Sequence, residues 1–306
     1  MSNRCWVIGS AILDTVYSVP HLPLPGESVL ATQVQQFLGG KGVNQAIAAA
    51  RSGVQTELIA ALGEDSAANK FTGLFTSEPN LNSRICGDTE HPTGQASITI
   101  DPTGRNQITV FPGANMHLPA TEIEKCDLKP SDYILCQNEV PDDCLIAASR
   151  AGNLIYNPAP YRPFPTEVLN GCFAITPNET EAAALTGIIP DTNKNLLLCA
   201  NHLLHLEVQN VIITLGERGA FFTNGKEQHF FAAKSVEAVD TTAAGDVFNG
   251  AFIARLTIGD SILQAVQYSV AAATISVTRH GAVPSIPRRK EIEQFLQNWE
   301  LPAQTF

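Results

Sequence analysis

Six short runs of consecutive apolar residues restrict the fold of this chain more than any other feature. They lie at 6–8, 58–60, 133–135, 154–156, 173–175 and 211–213. Apolar residues that follow one another, rather than alternate with polar ones, indicate strands that are buried on both faces. Helix-like stretches separate the runs, at about 43–52, 66–77, 141–151, 178–186 and 193–207, and about 244–298 is largely helical. Strands that alternate with helices predict an α/β fold, a three-layer, doubly wound and mostly parallel sheet.

Three further segments depart from this pattern. Residues 29–37, 95–101 and 106–111 contain alternating polar and apolar residues, which predicts a half-exposed strand and a hairpin. A small antiparallel sheet cannot form a large core alone, so we expect a β lid over the main domain or against another subunit. The lid strands are predicted within about 13–37 and 95–113. We find no internal repeat or linker, so residues 1–306 are expected to form a single domain.

Charge and cysteine content restrict the partners and the compartment. The 306 residues carry a net charge of -11, which argues against nucleic acid or an anionic membrane as a partner. Seven scattered cysteines without a C-x-x-C pair predict neither a disulfide framework nor a zinc site. The apolar run from Cys5 to Leu13, closed by Asp14, predicts a buried first strand rather than a signal peptide. We therefore expect a cytoplasmic protein.

One motif combines a turn of small residues, a helix start and a carboxylate. Residues 239–250 read VDTTAAGDVFNG. The small residues Ala243, Ala244 and Gly245 allow backbone N–H groups to face outward at a helix N-terminus, which is typical of an anion site. Asp246 lies inside this turn, where its carboxylate suits proton removal from a group that attacks a phosphate. A simple helix cap is the alternative, but the unbranched neighbours favour phosphoryl transfer to an alcohol.

A second motif lies at 39–46, where GGKGVNQA leads into a helix of small residues. It is not a Walker A loop, because Gly42 rather than Ser or Thr follows the lysine. The adjacent glycines still permit close backbone approach, and Lys41 and Asn44 offer hydrogen-bond donors on the first helical turn. Taken alone, this run also fits a glycine-rich turn with an exposed lysine.

Two more motifs follow buried strands. Residues 176–181 read TPNETE, in which Asn178 and Glu181 can form a capping box or hold the water ligands of Mg²⁺. Residues 214–219 read TLGERG, a strand end followed by a tight turn whose open backbone can meet a nucleotide. By itself, the second of these motifs is simply a turn.

In their order and intervals, the four motifs resemble the ribokinase-like carbohydrate kinases, also called the phosphofructokinase-B family. Residues 39–46 match the N-terminal signature of the family, and 240–246 match the C-terminal one, with Ala243 where many members have Gly. The runs 157–160, 176–181 and 278–285 are most similar to the ribokinase branch. The resemblance implies the ribokinase-like fold, transfer of the γ-phosphoryl group of ATP to the primary 5-hydroxyl of a pentose, first of all ribose, and a homodimer through the lid.

The resemblance also implies roles for individual residues. Asp246 is implied to be the base, and the backbone of Ala243, Ala244 and Gly245 the anion hole. The implied sugar contacts are Asp14, Gly40, Lys41, Asn44, Glu139 and Asp246. Asn178 and Glu181 are implied to order Mg²⁺ and phosphate through water, and the nucleotide is implied to lie at Thr214, Gly216 and Gly219. An activating monovalent cation such as K⁺ is implied at Asp240, Thr242, Ser276, Arg279, Gly281 and Ser285, mostly through backbone carbonyls.

One position departs from the family pattern. The family's opening segment resembles G-S-x-N-x-D, whereas Gly9 to Asp14 read GSAILD, so Ile12 replaces a sugar-contacting Asn. A sugar hydroxyl left unpaired against an alkyl group costs about 1–3 kcal/mol. A kinase for 2-deoxyribose or another pentose is therefore an alternative, unless a water or a neighbouring residue compensates. A nucleoside kinase and a non-catalytic sugar-binding regulatory protein are further alternatives, and the intact Asp246 and Lys41 argue against the last.

Overall fold

The computed structural model describes residues 3–299 and the backbone of residues 304 and 305. Its strands are β1 (Cys5–Ile8), β2 (Ile12–Ser18), β3 (Gln33–Gly39), β4 (Thr56–Gly63), β5 (Leu81–Asp88), β6 (Gly94–Ile100), β7 (Asn106–Phe111), β8 (Tyr133–Gln137), β9 (Asn153–Asn157), β10 (Ala174–Ile175), β11 (Val211–Thr214), β12 (Gly219–Thr223), β13 (Gln228–Ala232) and β14 (Gln304–Thr305). Its α-helices are α1 (Lys41–Arg51), α2 (Ser66–Ser77), α3 (Thr121–Glu124), α4 (Asp142–Ala151), α5 (Glu179–Thr186), α6 (Asn193–Leu204), α7 (Ala244–Thr257), α8 (Ile262–Ser276) and α9 (Arg289–Gln297).

The larger of two sheets contains all six predicted strands. In the described part of the chain its order is β14-β13-β12-β11-β10-β9-β8-β1-β4-β5. The strands from β11 to β5 run parallel, whereas β12, β13 and β14 pair antiparallel at one edge. The prediction of a mostly parallel sheet is confirmed. The antiparallel edge and the polar edge strand β5 were not predicted.

Helices cover both faces of this sheet, which explains the consecutive apolar residues of its strands. In β1, Cys5 and Val7 pack into one core, together with α1, α2, α7, α8 and α9. Trp6 and Ile8 point to the opposite core, together with α3, α4, α5 and α6. Side chains alternate between the faces of a strand, so a strand buried on both sides needs apolar residues at every position. The predicted three-layer arrangement is confirmed.

The smaller sheet is the predicted lid, in the order β3-β2-β6-β7. The pairs β2–β3 and β6–β7 are antiparallel, and β2 and β6 run parallel where the two hairpins meet. The structure divides the apolar run from Cys5 to Leu13, which was expected to be one buried strand. β1 ends at Ile8, the chain turns at 9–11, and β2 then enters the lid.

The remaining expectations about the chain concern membranes and cysteines. Of the helices that the structure describes, none has both the length and the apolar character needed to cross a bilayer. The seven cysteines are free thiols, and Cys5, Cys136, Cys144, Cys172 and Cys199 are buried. Helix α6 ends at Leu204, three residues before the predicted end at 207.

Candidate active site

The carboxyl ends of the parallel strands bring the predicted motifs to one edge of the large sheet. The N-termini of α1 and α7 lie together at this edge, because the two helices pack closely at Gly250. A Cβ atom at Gly250 would lie 2.3 Å from the carbonyl oxygen of Gln45 and 2.5 Å from the Cβ atom of Ala48. Close helix packing therefore joins two motifs that are about two hundred residues apart in sequence.

The turn before α7 has the open backbone that the sequence predicted. Ala243 precedes the helix in the left-handed region, with φ 62° and ψ 8°. Among the described residues, no side chain caps this helix. The Ala244 N–H makes a long hydrogen bond to the Thr241 carbonyl oxygen, at 3.3 Å, whereas the N–H groups of Gly245 and Asp246 remain available to a ligand. Ala243, Ala244 and Gly245 line a cavity of about 180 Å³. Asp246 is the third residue of α7 and not its cap, so the simpler alternative was wrong.

The carboxylate of Asp246 is held by two side chains of α1. Its Oδ2 accepts a hydrogen bond from Asn44 Nδ2 at 3.0 Å, and its Oδ1 accepts one from Gln45 Nε2 at 2.9 Å. Asp246 is only 6% exposed, yet it lines the same cavity as Lys41. A buried carboxylate next to open helix N–H groups can accept a proton at the point where a phosphate would bind.

Lys41 is the cation among the carboxylates at this edge. Burial opposes its charge, but the carboxylates of Asp246, Glu139 and Glu181 outweigh burial, so the pKa of Lys41 is raised. Burial raises the pKa of Glu139, and Lys41 partly offsets this effect. The Glu139 carboxylate accepts hydrogen bonds from the Ser10 hydroxyl and from the Lys41 backbone N–H. The cluster thus joins four predicted sugar or phosphate positions in one electrostatic unit.

Asp14 and Gly40 lie at the start of the lid, beside this cluster. Gly39 leaves space for the Asp14 side chain, since a Cβ atom there would be 2.9 Å from Asp14 Oδ2. Gly40 precedes α1 with φ 93°, a conformation that favours glycine. Burial, and secondly the negative charge of Glu139, raise the pKa of Asp14 to about 7. Asp14 is therefore a carboxyl group that changes its charge close to neutral pH.

The Asp14 pKa predicts a pH-dependent loss of stability. Between about pH 4 and 7 the folded state keeps a proton on Asp14 that the unfolded state has released. The free energy of unfolding therefore falls as the pH rises through this range, by about 4 kcal/mol in total, and the loss is complete above pH 7. Urea unfolding at pH 5 and pH 8 should show this loss in the wild type and much less of it in Asp14→Asn. Asp127→Asn, at a carboxylate that is 85% exposed, is the control. Parallel pH profiles for wild type and Asp14→Asn would contradict the assignment.

A larger cavity, of about 730 Å³, adjoins the first. Both cavities are lined by Asn178, Thr214, Thr241, Ala244 and Gly245. The larger one also has apolar walls, formed by side chains that include Phe248, Val270 and Val277. Its size suits a drug-sized ligand or a nucleotide. A flat base and its attached phosphates can thus extend from the apolar end to the N-terminus of α7.

The predicted nucleotide positions lie along this cavity. Thr214, Gly216 and Gly219 line it, and Gly219 has φ 107° where a Cβ atom would lie 1.9 Å from the carbonyl oxygen of Phe231. Asn178 and Glu181 form the predicted capping box of α5, with both hydrogen bonds at 2.8 Å. The box uses Asn178 Oδ1 and Glu181 Oε2, so Asn178 Nδ2 and Glu181 Oε1 take no part in it. Capping and a role towards a ligand are therefore compatible.

The residues implied to bind a monovalent cation come from two neighbouring segments. Asp240 Oδ1 accepts from the Thr242 N–H at 2.9 Å, and Oδ2 accepts from the Gly281 N–H at 2.8 Å. Burial opposes the Asp240 charge, but these hydrogen bonds outweigh it and lower the Asp240 pKa. The remaining positions follow closely in the chain: Ser276 ends α8, Arg279 is in the turn after it, and Ser285 is buried in the short helix Val283–Ser285. The structure thus brings the loop before α7 to the segment after α8.

Several polar residues at the site were not predicted as functional. Gln45 and Gln137 are fully buried; Gln45 donates a hydrogen bond to Asp246, and Gln137 donates one to Gln45. Asn157 and Asn249 line the smaller cavity. Gln45 and Asn157 occur inside motifs that the sequence did single out, so adjacency to those motifs was the available signal. Gln137, at the end of β8, has no comparable signal.

Comparison with known proteins agrees with this geometry. The family model described as pfkB family carbohydrate kinase matches residues 2–289. The chain belongs to this family of carbohydrate kinases. It is 36% identical to a ribokinase of Staphylococcus aureus, with 96% of this chain and 100% of the relative covered. A ribokinase of Haemophilus influenzae is also 36% identical, with 97% of this chain and 100% of the relative covered.

Solved structures of pfkB-family kinases have the same fold. A ribokinase from Thermotoga maritima superposes with a TM-score of 0.87 at 38% identity, covering 97% of this chain and 100% of that one. The Arabidopsis thaliana ribokinase complexed with ribose and ATP gives a TM-score of 0.90 at 28% identity, covering 97% and 99%. The predictions of the ribokinase-like fold and of a phosphotransferase that acts on a carbohydrate are confirmed.

Proposed function

We propose that this pfkB-family kinase transfers the γ-phosphoryl group of ATP to O5 of ribose, with Asp246 as the base. The observation that carries the proposal is the position of the Asp246 carboxylate, beside the open N-terminus of α7 and next to the cavity that suits a nucleotide. The ribokinase relatives from Staphylococcus aureus and Haemophilus influenzae support ribose as the acceptor. The Arabidopsis thaliana complex supports the pairing of ribose with ATP.

In the proposed reaction, Asp246 takes the proton of the 5-hydroxyl while the bond from O5 to the γ-phosphorus forms. The bond between the γ-phosphorus and the β,γ-bridging oxygen breaks, so that ribose 5-phosphate and ADP leave. Backbone N–H groups of Ala243, Ala244 and Gly245 offset the charge on the γ-phosphoryl oxygens. Lys41 supplies a positive side chain beside Asp246. The sugar is proposed to contact Asp14, Gly40, Asn44 and Glu139.

The residues present also fit ATP with Mg²⁺. The cavity of about 730 Å³ has an apolar end for a base, and its polar end includes Asn178 and Thr214. Mg²⁺ keeps several of its waters in protein sites, so we propose that Asn178 and Glu181 hold these waters rather than the ion itself. When bound, Mg²⁺ neutralises phosphate charge during transfer. Gly216 and Gly219 would leave the backbone open to the nucleotide.

A monovalent cation such as K⁺ is proposed beside the α7 turn. The Asp240 carboxylate is already occupied by the Thr242 and Gly281 N–H groups, so it would supply charge while backbone carbonyls supply most ligands. Hard oxygen donors of this kind suit an alkali cation. The cation would hold the Asp240 loop, which leads directly into the anion hole, in its binding conformation.

A coupled assay of ATP consumption tests the proposal. We expect turnover with ribose that exceeds turnover with hexoses and nucleosides, and a higher rate in K⁺ than in Na⁺ at equal ionic strength. ATP consumption without any sugar should be far lower. No sugar-dependent turnover with any pentose would refute the kinase proposal. Equal rates in K⁺ and Na⁺ would refute only the cation site.

A 2-deoxyribose kinase is a second candidate, and Ile12 favours it. Ile12 and Asp14 are two residues apart in β2, so their side chains lie on the same face of the strand. Ile12 is 5% exposed and offers no hydrogen bond beside a proposed sugar contact. A ratio of kcat/KM that favours 2-deoxyribose, and that Ile12→Asn shifts towards ribose, would support this candidate. A strong ribose preference in the wild type would exclude it.

We also propose that the lid joins two copies of the chain. Val34 on β3 and Ile108 and Val110 on β7 are each at least half exposed, and a second lid would remove such apolar groups from water. The whole chain would then act as one kinase domain with its lid in the dimer interface. A monomer at micromolar concentration in sedimentation equilibrium would contradict this proposal. The free thiols support a cytoplasmic location.

A further inference from the structure

A chain of buried side-chain amides connects Asp246 to the interior of the protein. Gln45 comes from α1, Gln137 from the end of β8 and Asn157 from the end of β9. The first two are fully buried and Asn157 is 5% exposed. Gln45 Nε2 donates to both Asp246 Oδ1, at 2.9 Å, and Asn157 Oδ1, at 3.1 Å. Gln137 Nε2 donates to Gln45 Oε1 at 2.6 Å.

The direction of this chain is determined by one backbone carbonyl. The Thr176 carbonyl oxygen can only accept, and Asn157 Nδ2 donates to it at 3.0 Å. The Asn157 amide therefore presents its Oδ1 to Gln45, and Gln45 must donate to this oxygen from Nε2. Gln45 Nε2 then faces Asp246 as a donor, and Gln45 Oε1 faces Gln137. If the amide of either glutamine were rotated by 180°, two donors or two acceptors would face each other.

We propose that Gln45 is a positioning residue for phosphoryl transfer, which orients the Asp246 carboxylate towards the sugar hydroxyl. This inference rests on the proposed role of Asp246 as the base. Gln45 holds Oδ1 and Asn44 holds Oδ2, so two adjacent residues of one helix define the plane of the carboxylate. A base held in one orientation spends more time in the reactive geometry.

Gln137 anchors Gln45 at a cost to stability. Its Oε1 is buried and has no hydrogen-bond partner among the described residues, and burial of an unpaired carbonyl is unfavourable. Gly9 provides the space for this atom, since a Cβ atom at Gly9 would lie 2.1 Å from it. An apolar residue would fill the same site without an unpaired carbonyl. The useful part of Gln137 is therefore the Nε2 donor that fixes Gln45.

The test compares steady-state kinetics of Gln45→Leu with wild type, using ribose and ATP in K⁺ and Mg²⁺. We expect kcat to fall by about 10- to 100-fold, while KM for both substrates changes by less than about twofold. The other charged groups near Asp246 are Lys41, Glu139 and Glu181, and Gln45→Leu leaves them in place.

Two further variants keep the proposal testable if Gln45→Leu fails to fold. Gln137→Leu removes the unpaired Gln137 carbonyl but also leaves the buried Gln45 Oε1 without its donor, so kcat should fall about 3- to 10-fold while the unfolding midpoint changes little. Asn210→Ala is the matched control. It removes a buried amide that donates to the Phe173 carbonyl oxygen at 2.7 Å, at the opposite end of the strands. It should lower stability without changing kcat.

The outcomes separate this inference from the proposed function. Wild-type kcat in either glutamine variant overturns the positioning role. A fall in kcat with a parallel rise in both KM values indicates a merely structural role, and also overturns it. If Asp246→Asn retains wild-type turnover, the base assignment itself fails. If only the glutamine variants are unaffected, the base assignment stands and the inference alone fails.

Discussion

Asp246→Asn is expected to lower kcat by about 10³- to 10⁴-fold, because the amide cannot take the proton of the sugar hydroxyl. The substitution changes neither the size of the side chain nor its place in the first turn of α7. Ribose and ATP should therefore still bind. Isothermal titration for binding and a quenched-flow or coupled assay for turnover measure the two effects separately.

Asp65→Asn is a suitable control for Asp246→Asn. Asp65 also lies at the start of a helix, where its Oδ1 accepts from the Ala68 N–H at 2.9 Å and caps α2. Its replacement should reduce stability and leave kcat unchanged, because it has no contact with the cavity. Turnover by Asp246→Asn within about tenfold of wild type would exclude a general-base role for this carboxylate.

The second large effect is expected from Gly250→Ala, which should destabilise the protein by about 2 kcal/mol or more. In an exposed helix the same change is favourable by about 1 kcal/mol. Here the added Cβ atom would lie 2.3 Å from the Gln45 carbonyl oxygen and 2.5 Å from the Ala48 Cβ atom. Helices α1 and α7 must move apart, which also lengthens the hydrogen bonds from Asn44 and Gln45 to Asp246. The free energy of unfolding, measured in urea, and kcat should therefore both decrease.

Gly73→Ala is the matched control for this prediction. Gly73 lies within α2, and a Cβ atom there would have no heavy atom within 4 Å. It should raise the free energy of unfolding by about 0.5–1 kcal/mol and leave kcat unaltered. If Gly250→Ala behaves like Gly73→Ala, close packing of α1 on α7 is not what holds the two motifs together.

The parallel strands and their helices could be predicted because their pattern is local. The helix predicted at 66–77 has the bounds of α2, and each of the six apolar runs lies at least partly within a strand. The polar strand β5 was missed because it has few buried residues at the edge of the sheet. β12 follows so closely on the turn at 214–219 that the sequence indicated only the turn. Edge strands depend on pairing with a neighbour, which periodicity does not show.

The sequence predicted which residues form the candidate site, but it did not predict most of the contacts between them. Asp246, Asn44 and Lys41 were singled out from two motifs and a family resemblance, and the structure brings all three together. The coupling of Lys41 to the carboxylates of Glu139 and Glu181 was not expected. Coulombic coupling depends on distance and burial, and neither follows from position in the sequence.

Local sequence was sufficient to assign the six apolar strands and the helices between them, the capping box at Asn178 and the small-residue turn before Asp246. These features involve residues within about four positions of one another, where backbone geometry sets the contacts. The Gln45 hydrogen bond to Asp246 arises only after α1 packs on α7, and the raised Asp14 pKa arises only after folding buries Asp14 and brings it close to Glu139. Uncharged amides such as Gln45 and Gln137 acquire their direction from hydrogen bonds to distant residues, so their function is a property of the folded chain.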